Sequence, residues 1–199
     1  MVLFGLCLCA VPARAELQAY PFVGFAVPAS ATAFKIYGQP DYSTAGASAI
    51  GLDLELLVGK TGWRPTAIFW HAGDVGFEYD TNYTGRSDNM GVGVSRAIRL
   101  GEGSLAIGAG LVHSSWRWTR AFESTSTATI RDSQTGFLGS ARLSAPLSRK
   151  LCLSAVAKIQ VTDAVQLQST TSDSDVLEMV ASGTTFVLAM GCGWRFGGD

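Results

Sequence analysis

The chain has 199 residues, of which 47% are hydrophobic and 16% are charged, and its formal net charge is −1. No apolar run approaches the roughly 18 residues that a transmembrane helix needs, and a pI near 6.1 gives no basic footprint for nucleic acid. One domain fits this length. An apolar composition without such a run is typical of membrane barrels, whose hydrophobic signal is spread over alternating segments of about ten residues.

Residues 1–15 have features of a secretory signal. Residues 2–11 form a short apolar stretch, and residues 13–15 (A-R-A) form an A-x-A cleavage site. We therefore expect a signal peptide over 1–15 and a barrel domain over 16–199. No Lys or Arg precedes the apolar stretch, which predicts that translation starts further upstream.

The first membrane-spanning strand is ambiguous. Pro21 and Pro28 interrupt the apolar residues between Glu16 and Gln39, and proline is tolerated in strands mainly at edges and bulges. The strand could be the segment that contains Phe22, Val23, Phe25 and Val27, the stretch Thr32 to Tyr37, or one long bent strand that covers both. Residues 39–46 are predicted to form a loop.

The second strand alternates without interruption, and successive side chains of a strand point to opposite faces. Asp53 and Glu55 share one face, which would be the luminal face of a barrel. The other face is aliphatic throughout: Ile50, Leu52, Leu54, Leu56 and Val58.

A tight turn at 60–62 leads into a third strand from Trp63 towards His71. Residues 74–89 are polar and aromatic and are predicted to form a long external loop or a hairpin above the membrane. The fourth strand covers about Met90 to Leu100. Arg96 has the parity of its apolar face, and an arginine at the bilayer midplane costs about 2–4 kcal/mol. It therefore lies near the rim, or a bulge shifts the register.

The fifth, sixth and seventh strands show the same alternation. The fifth runs from Ser104 to about Thr119 and leads into a Ser/Thr-rich loop at 120–133. The sixth ends at a turn over 146–149, and the seventh extends from Leu151 to Thr162. In each strand one face is apolar and the other is small or polar, as in membrane barrels.

The segment from Thr184 to Phe196 follows a long loop at 168–183 and predicts a closing strand. Soluble sandwiches turn their large residues inward, whereas a barrel in lipid turns them outward. One face of this strand is small or polar. The other is bulky and ends in two aromatic residues: Phe186, Leu188, Met190, Cys192, Trp194 and Phe196.

The connections predict the topology. Three short turns alternate with four long polar loops, and this alternation with an even strand number is the bacterial outer-membrane pattern. The sequence therefore predicts an all-β, eight-stranded antiparallel up-and-down barrel in the outer membrane with both termini on the periplasmic side. A soluble secreted β-sandwich is the alternative. All five tryptophans lie near the predicted interfaces, as aromatic girdles do: Trp63, Trp70, Trp116, Trp118 and Trp194.

With these residues in place, the chain resembles the small outer-membrane barrel superfamily of opacity-type and related surface proteins. Such proteins end in a glycine, an aromatic or apolar residue and a final phenylalanine, here Gly191, Trp194 and Phe196. The resemblance implies that this segment is the signal read by the barrel-assembly machinery. The chain departs from the pattern in residues 197–199, Gly-Gly-Asp, which follow the aromatic residue.

Six charged residues have luminal parity. An eight-stranded barrel is only wide enough for side chains to fill, and buried charges must be paired. The sequence therefore predicts a plug of ion pairs, with a narrow ion path as the alternative. The predicted lumen charge network comprises Asp53, Glu55, Arg99, Arg142, Lys158 and Arg195.

His113 and Ser115 have outward parity. A His-x-Ser pair on the outer wall of a small barrel resembles the lipid A deacylase family, which implies Ser115 as nucleophile, His113 as base and an acid that orients the imidazole. Trp116 replaces that family's asparagine, three strands follow the pair instead of none, and the nearby acid is Glu123 in a loop. The enzyme alternative therefore rests on two residues.

Two histidines are too few for a three-imidazole zinc site, and we expect no metal and no cofactor. Cys152 should face the lumen and Cys192 the lipid, so the two should remain free thiols, since opposite faces exclude a disulfide. The expected partners are outer-membrane lipid and lipopolysaccharide, the assembly machinery and an unknown extracellular partner, with no nucleic acid. The predicted function is structural or surface interaction through the loops at 72–89, 120–133 and 168–183.

Overall fold

The computed structural model describes residues 16–28, 32–36, 39–43, 47–58, 62–77, 82–121, 127–163, 165–170, 176–181 and 183–196. The proposed signal peptide and the trailing Gly-Gly-Asp lie outside the described residues. Within this part of the chain, no helix is long and apolar enough to cross a membrane.

The described residues form strands that belong to two sheets. The strands are β1 (Glu16–Pro28), β2 (Thr32–Ile36), β3 (Gln39–Ser43), β4 (Ala47–Leu57), β5 (Trp63–Phe77), β6 (Asn82–Leu100), β7 (Gly103–Ala121), β8 (Thr127–Pro146), β9 (Leu151–Val161), β10 (Val165–Thr170), β11 (Val176–Ala181) and β12 (Thr184–Phe196). Eight of them close into a barrel in the order β1-β12-β9-β8-β7-β6-β5-β4, and the other four form a sheet in the order β10-β11-β2-β3. The prediction of an eight-stranded antiparallel barrel is confirmed.

The barrel closes because β1 pairs antiparallel with both β4 and β12. The residue pairs between neighbouring strands can be followed around the barrel in two directions, starting from Phe22 on β1. In one direction, through β12, β9 and β8, they lead to Ser104 on β7. In the other direction, through β4, β5 and β6, they lead to Ser114 on the same strand. The two arrival points are ten residues apart on β7, and this stagger requires strands tilted by about 35–45°.

The wall has an apolar outer face. Phe137, Leu188 and Met190 are 71%, 63% and 70% exposed, whereas Val187 and Ala189, which alternate with the outward residues of β12, are buried in the lumen. Apolar patches of this extent are rare on soluble monomers, and an outward apolar band is what a barrel in lipid presents. This excludes the soluble sandwich, in which the large side chains would pack inward.

Strand β1 resolves the ambiguous start: the first spanning strand is Glu16–Pro28, and residues 32–36 belong to the second sheet. The hairpin predicted as one of two options for residues 74–89 is confirmed, because β5 and β6 pair over this segment. Three predicted loops are wrong over most of their length. Residues 39–43 form β3, and residues 120–133 largely extend β7 and β8. The loop at 168–183 contains β11. Polar, Thr-rich segments can pair as strands outside a membrane, where no face has to be apolar.

Arg96 lies near the rim, and the bulge alternative is wrong at this position. It pairs with Trp63 at the start of β5, and the register shift between β5 and β6 falls at the other end, between Ala72 and Val75. Its guanidinium carbon lies 5.6 Å from the centre of the Trp63 ring. The charge thus sits beside an interfacial aromatic residue, away from the bilayer midplane.

The tryptophan prediction holds at one end of the barrel. Trp63 and Trp194 are half exposed at the end with the short turns, but Trp70 is only 4% exposed and faces the lumen. Its parity on β5 is that of Ile68 and Ala72, which are also buried. The side chain of Trp118 lies outside the described residues. Cys152, half buried, and Cys192, exposed, are free thiols as expected.

Candidate functional site

Charged side chains from four strands meet inside the barrel, and we call them the lumen charge cluster: Asp53 and Glu55 on β4, Arg64 on β5, Arg142 on β8 and Lys158 on β9. Lys158 Nζ donates to Asp53 Oδ1. Arg142 Nη2 pairs with Glu55 Oε1, and its Nη1 lies 3.8 Å from Asp53 Oδ2. Arg64 Nη1 donates to Glu55 Oε2 at 3.0 Å. Each carboxylate therefore faces two cations.

Neutral groups complete the cluster. Ser95 Oγ donates to Glu55 Oε1 at 3.0 Å, and Arg142 lies over the Tyr20 ring at 3.5 Å from its centre. Lys158 Nζ lies 4.1 Å from the centre of the Phe22 ring and 5.3 Å from that of Trp70. Three cations face two carboxylates, so the cluster has one formal positive charge in excess. The aromatic faces stabilise this excess, because desolvated cation–π contacts contribute about 2 kcal/mol or more.

The cluster fills the cross-section of the barrel. The cavity between it and the β5–β7 wall measures about 10 Å³, which is roughly the size needed for one water molecule. Further from the short turns, Gln160 Nε2 donates to Ser114 Oγ at 2.6 Å. Buried apolar side chains fill the space around this pair, including Val112, Leu138 and Val187. The described lumen is thus packed.

The structure brings together four of the six predicted lumen charges and separates the other two. Arg99 is exposed at the end of β6, where its Nε donates to Gly101 O at 3.2 Å. Arg195 is half exposed at the end of β12 and pairs with Glu16 at 2.5 Å. Both have luminal parity, but they lie beyond the packed part of the lumen. Placing them in the network was therefore wrong.

Sequence reasoning missed Arg64 and Tyr20. Arg64 shares parity with Thr66, Ile68 and Trp70 on β5, so the alternation could have assigned it to the lumen. Tyr20 immediately precedes Pro21 in β1, the segment whose pattern was ambiguous. Its hydroxyl donates to Gln18 Oε1 at 2.5 Å, and Gln18 Oε1 also accepts from Arg64 at 3.2 Å. This links β1 to the cluster.

A second polar group lies on the outer wall. His71 Nδ1 lies 2.7 Å from Asp88 Oδ1, and Asp88 is directly opposite Ser115 in the β6–β7 pair. His113 Nδ1 lies 3.1 Å from Thr135 Oγ1. We call His71, Asp88, His113 and Ser115 the outer-wall polar group. They border a groove of about 460 Å³ whose remaining lining is mainly apolar.

The arrangement differs from a working triad. In a triad the imidazole lies between the nucleophile and the acid, but here Asp88 lies between Ser115 and His71 across the strands. His113 is directed to Thr135. Glu123 lies outside the described residues. Within the described part of the chain, no group of three metal-ligating side chains is close enough to hold a metal ion.

No protein-family model matches the sequence, and a comparison with characterised proteins finds no match. Solved structures do match. A major outer membrane protein from Thermus thermophilus aligns with a TM-score of 0.64 at 12% identity, covering 92% of this chain and 99% of that one. OprG from Pseudomonas aeruginosa aligns with a TM-score of 0.62 at 11% identity, covering 93% of this chain and 97% of that one.

Neisserial surface protein A aligns with a TM-score of 0.55 at 11% identity, covering 92% of this chain and 97% of that one. At such identities the likeness concerns the fold. The protein is a small eight-stranded β-barrel of the outer-membrane class. The apolar outer face of the same strands fits a barrel that stands in a lipid bilayer.

Proposed function

We propose that the protein acts at the cell surface through the part of the chain that extends beyond the barrel, and that its lumen is a structural plug. The main support for this proposal is the length of three strands. A transmembrane strand needs about 9–11 residues, whereas β6, β7 and β8 have 19, 19 and 20. The surplus lies at the end away from the short turns, together with the sheet formed by β2, β3, β10 and β11.

The packed lumen supports the same proposal. A pore needs a continuous polar path, but the lumen charge cluster is followed by buried apolar side chains such as Val112 and Leu138. The elements beyond the wall contain two separate strand systems, the extended hairpins and the second sheet. Their Ser, Thr, Asp and Tyr content suits a polar partner, and we propose an extracellular protein or glycan.

Removal of β10 and β11, two of the four strands of the second sheet, tests this proposal. In one variant residues 164–182 are replaced by a short Gly-Ser linker, and in the control only residues 122–126 are replaced in the same way. Both variants should keep the heat-dependent gel mobility of a folded barrel. We expect bacteria that display the parent or the control to adhere to surfaces coated with extracellular proteins or glycans, and adhesion to fall at least tenfold for the first variant. Equal adhesion by all three, at the level of bacteria without the protein, would contradict the proposal.

A second candidate is ester hydrolysis of lipid A at the outer leaflet, with Ser115 as nucleophile and His113 as base. The observation that favours it is the position of Asp88 opposite Ser115, because this supplies an acid that the neighbouring sequence lacks. His113 would have to leave Thr135 and turn between Ser115 and Asp88. Mass spectrometry of lipid A from expressing cells decides: loss of an acyl chain that depends on Ser115 would establish the enzyme, and unchanged lipid A would remove it.

A further inference from the structure

A cavity of about 450 Å³ opens at the end of the barrel that has the short turns. In outer-membrane barrels these turns face the periplasm, so we call the cavity the periplasmic vestibule. Gln18, Tyr20, Cys152 and Gly193 form its inner part, and the β6–β7 and β8–β9 turns form its rim. The volume is in the range of small-molecule sites, about 300–1,000 Å³. The vestibule lies at the opposite end from the elements proposed to meet an extracellular partner.

Cationic side chains dominate the described lining. They are Arg99, Arg149, Lys150 and Arg195, and the acid among the lining residues is Glu102. Arg195 is paired with Glu16, which leaves three cations against one carboxylate. The lumen charge cluster behind Tyr20 adds one positive charge in excess. A concave site with one dominant sign of charge focuses its field on ions that enter it.

Hydrogen bonds within the turns fix the backbone at these positions and the side chain of Arg99. In the β8–β9 turn, Leu147 N and Ser148 N donate to Leu151 O at 2.9 and 3.0 Å, and Arg195 N donates to Lys150 O at 3.0 Å. In the β6–β7 turn, Gly101 adopts a positive φ of 59° and its carbonyl accepts from Arg99 Nε. The backbone of the rim and the Arg99 side chain are therefore ordered before any anion arrives, which lowers the entropic cost of binding.

The inner end of the vestibule contains a thiol. Cys152 Sγ lies 3.8 Å from Gly193 O. A side chain at position 193 would overlap both the Tyr20 ring and the Cys152 sulfur, so glycine at this position lets the ring and the thiol pack against the backbone. Cys152 is half buried and lines the cavity. The rate at which this thiol is modified therefore measures which reagents reach the inner end of the vestibule.

We propose that the periplasmic vestibule binds a small polyanion, one with two or more carboxylate or phosphate groups. Arg99 on one turn and Arg149 and Lys150 on the other contact the anionic groups, and the Tyr20 and Cys152 end limits how far the molecule enters. Two separated cationic turns favour a molecule with separated charges over a single small anion.

The test uses the Cys152 thiol in a Cys7→Ser, Cys9→Ser, Cys192→Ser background, with the full chain folded in a non-ionic detergent. Cys152 is modified with a methanethiosulfonate reagent that has a sulfonate group or with one that has a quaternary ammonium group. Each rate is divided by the rate of the same reagent with 2-mercaptoethanol. We expect the anionic reagent to be preferred by about tenfold or more, because focused fields raise association rates by roughly 10–10³. Millimolar citrate or pyrophosphate should protect the thiol, and comparison of the two separates carboxylate from phosphate recognition.

Matched variants locate the effect. The triple variant Arg99→Gln, Arg149→Gln, Lys150→Gln should lose the anion preference and the protection. Arg96→Gln removes a cation from the same end of the barrel but on the outer wall, and it should leave both unchanged. Equal or reversed reagent preference, no reaction of Cys152 with either reagent, or equal loss in Arg96→Gln would each overturn the proposal.

Discussion

The lumen charge cluster and the outer-wall polar group use the same kinds of side chain in opposite settings. Asp53 and Lys158 are each at most 4% exposed and have two or more polar or aromatic partners. Asp88, on the outer wall, is 75% exposed at its side chain and is paired with one histidine. The contribution of an ion pair to the stability of this barrel therefore depends on the groups that surround it. When one partner of a luminal ion pair is removed, the other is left as an uncompensated buried charge. On the outer wall the remaining partner is exposed and is not left buried.

Loss of one luminal carboxylate should have the largest effect. Asp53→Asn leaves Lys158 without its counter-charge in a packed interior, and breaking a buried pair in this way costs about 3–5 kcal/mol. Urea unfolding of the protein folded in detergent measures the free energy. Asp88→Asn is the matched control on the outer wall, where an exposed pair contributes about 0–1 kcal/mol. Similar losses for the two variants would contradict the contrast drawn between lumen and wall.

Joint replacement should recover part of that loss. In the double variant Asp53→Asn, Lys158→Met, the unpaired cation is gone, and buried ion pairs are often replaced by apolar groups without net cost. We expect a coupling free energy of about 1.5–3 kcal/mol from the double-mutant cycle, within the range seen for contacting residues. Simple additivity of the two single losses would mean that Lys158 is stabilised by its aromatic neighbours alone.

The outward aromatic residues should affect assembly more than stability. Phe196 is half exposed at the end of β12 and its ring centre lies 6.3 Å from that of Trp194. Phe196→Ala should lower the amount of folded protein in the outer membrane several-fold, while unfolding in detergent shifts by only about 1 kcal/mol, because little of the side chain is packed against protein. Heat-modifiable gel mobility in membrane fractions gives the first quantity. A normal membrane level would remove Gly191, Trp194 and Phe196 as an assembly signal.

The smallest effect is expected in conductance. A packed lumen should give the parent protein no steady current in a planar bilayer, and Asp53→Asn should not create one. A steady current in the parent that Asp53→Asn abolishes would establish the narrow ion path instead.

The alternation of apolar and polar residues predicted well which face of the wall a side chain occupies. It did not predict how far along the barrel axis that side chain lies, which we call its depth. Arg142 and Arg99 share luminal parity, but only Arg142 belongs to the lumen charge cluster. Arg99 lies at the end of β6, next to the β6–β7 turn. Depth depends on the stagger between strands, which comes from pairing around the whole barrel and leaves no local mark in the sequence. Trp70 shows the other limit: tryptophan suits a girdle or a packed lumen, so its position near a loop did not decide between them.

The second sheet could not be predicted from alternation. Its strands have 5 or 6 residues and pair segments far apart in the chain, such as Lys35 with Glu178. Alternation over 5 or 6 residues is a weaker signal than the same alternation over the 11 to 13 residues of β4, β9 and β12. The outer-wall acid was missed for a similar reason, since Asp88 meets Ser115 only through the register of β6 and β7.

The pairing of β1 with β12 makes completion of the wall an all-or-none event. Until β12 is synthesised, β1 and β9 would both present unpaired backbone groups, and in hydrocarbon each such group costs several kcal/mol. Lys158 and Asp53 are 105 residues apart in the chain, and their side chains can meet in the lumen only when the barrel is closed. A chain that stops short of β12 should therefore not persist as a partial sheet in the bilayer. Strand β12, which is synthesised after the other seven strands of the wall, is therefore required for any of them to remain in lipid.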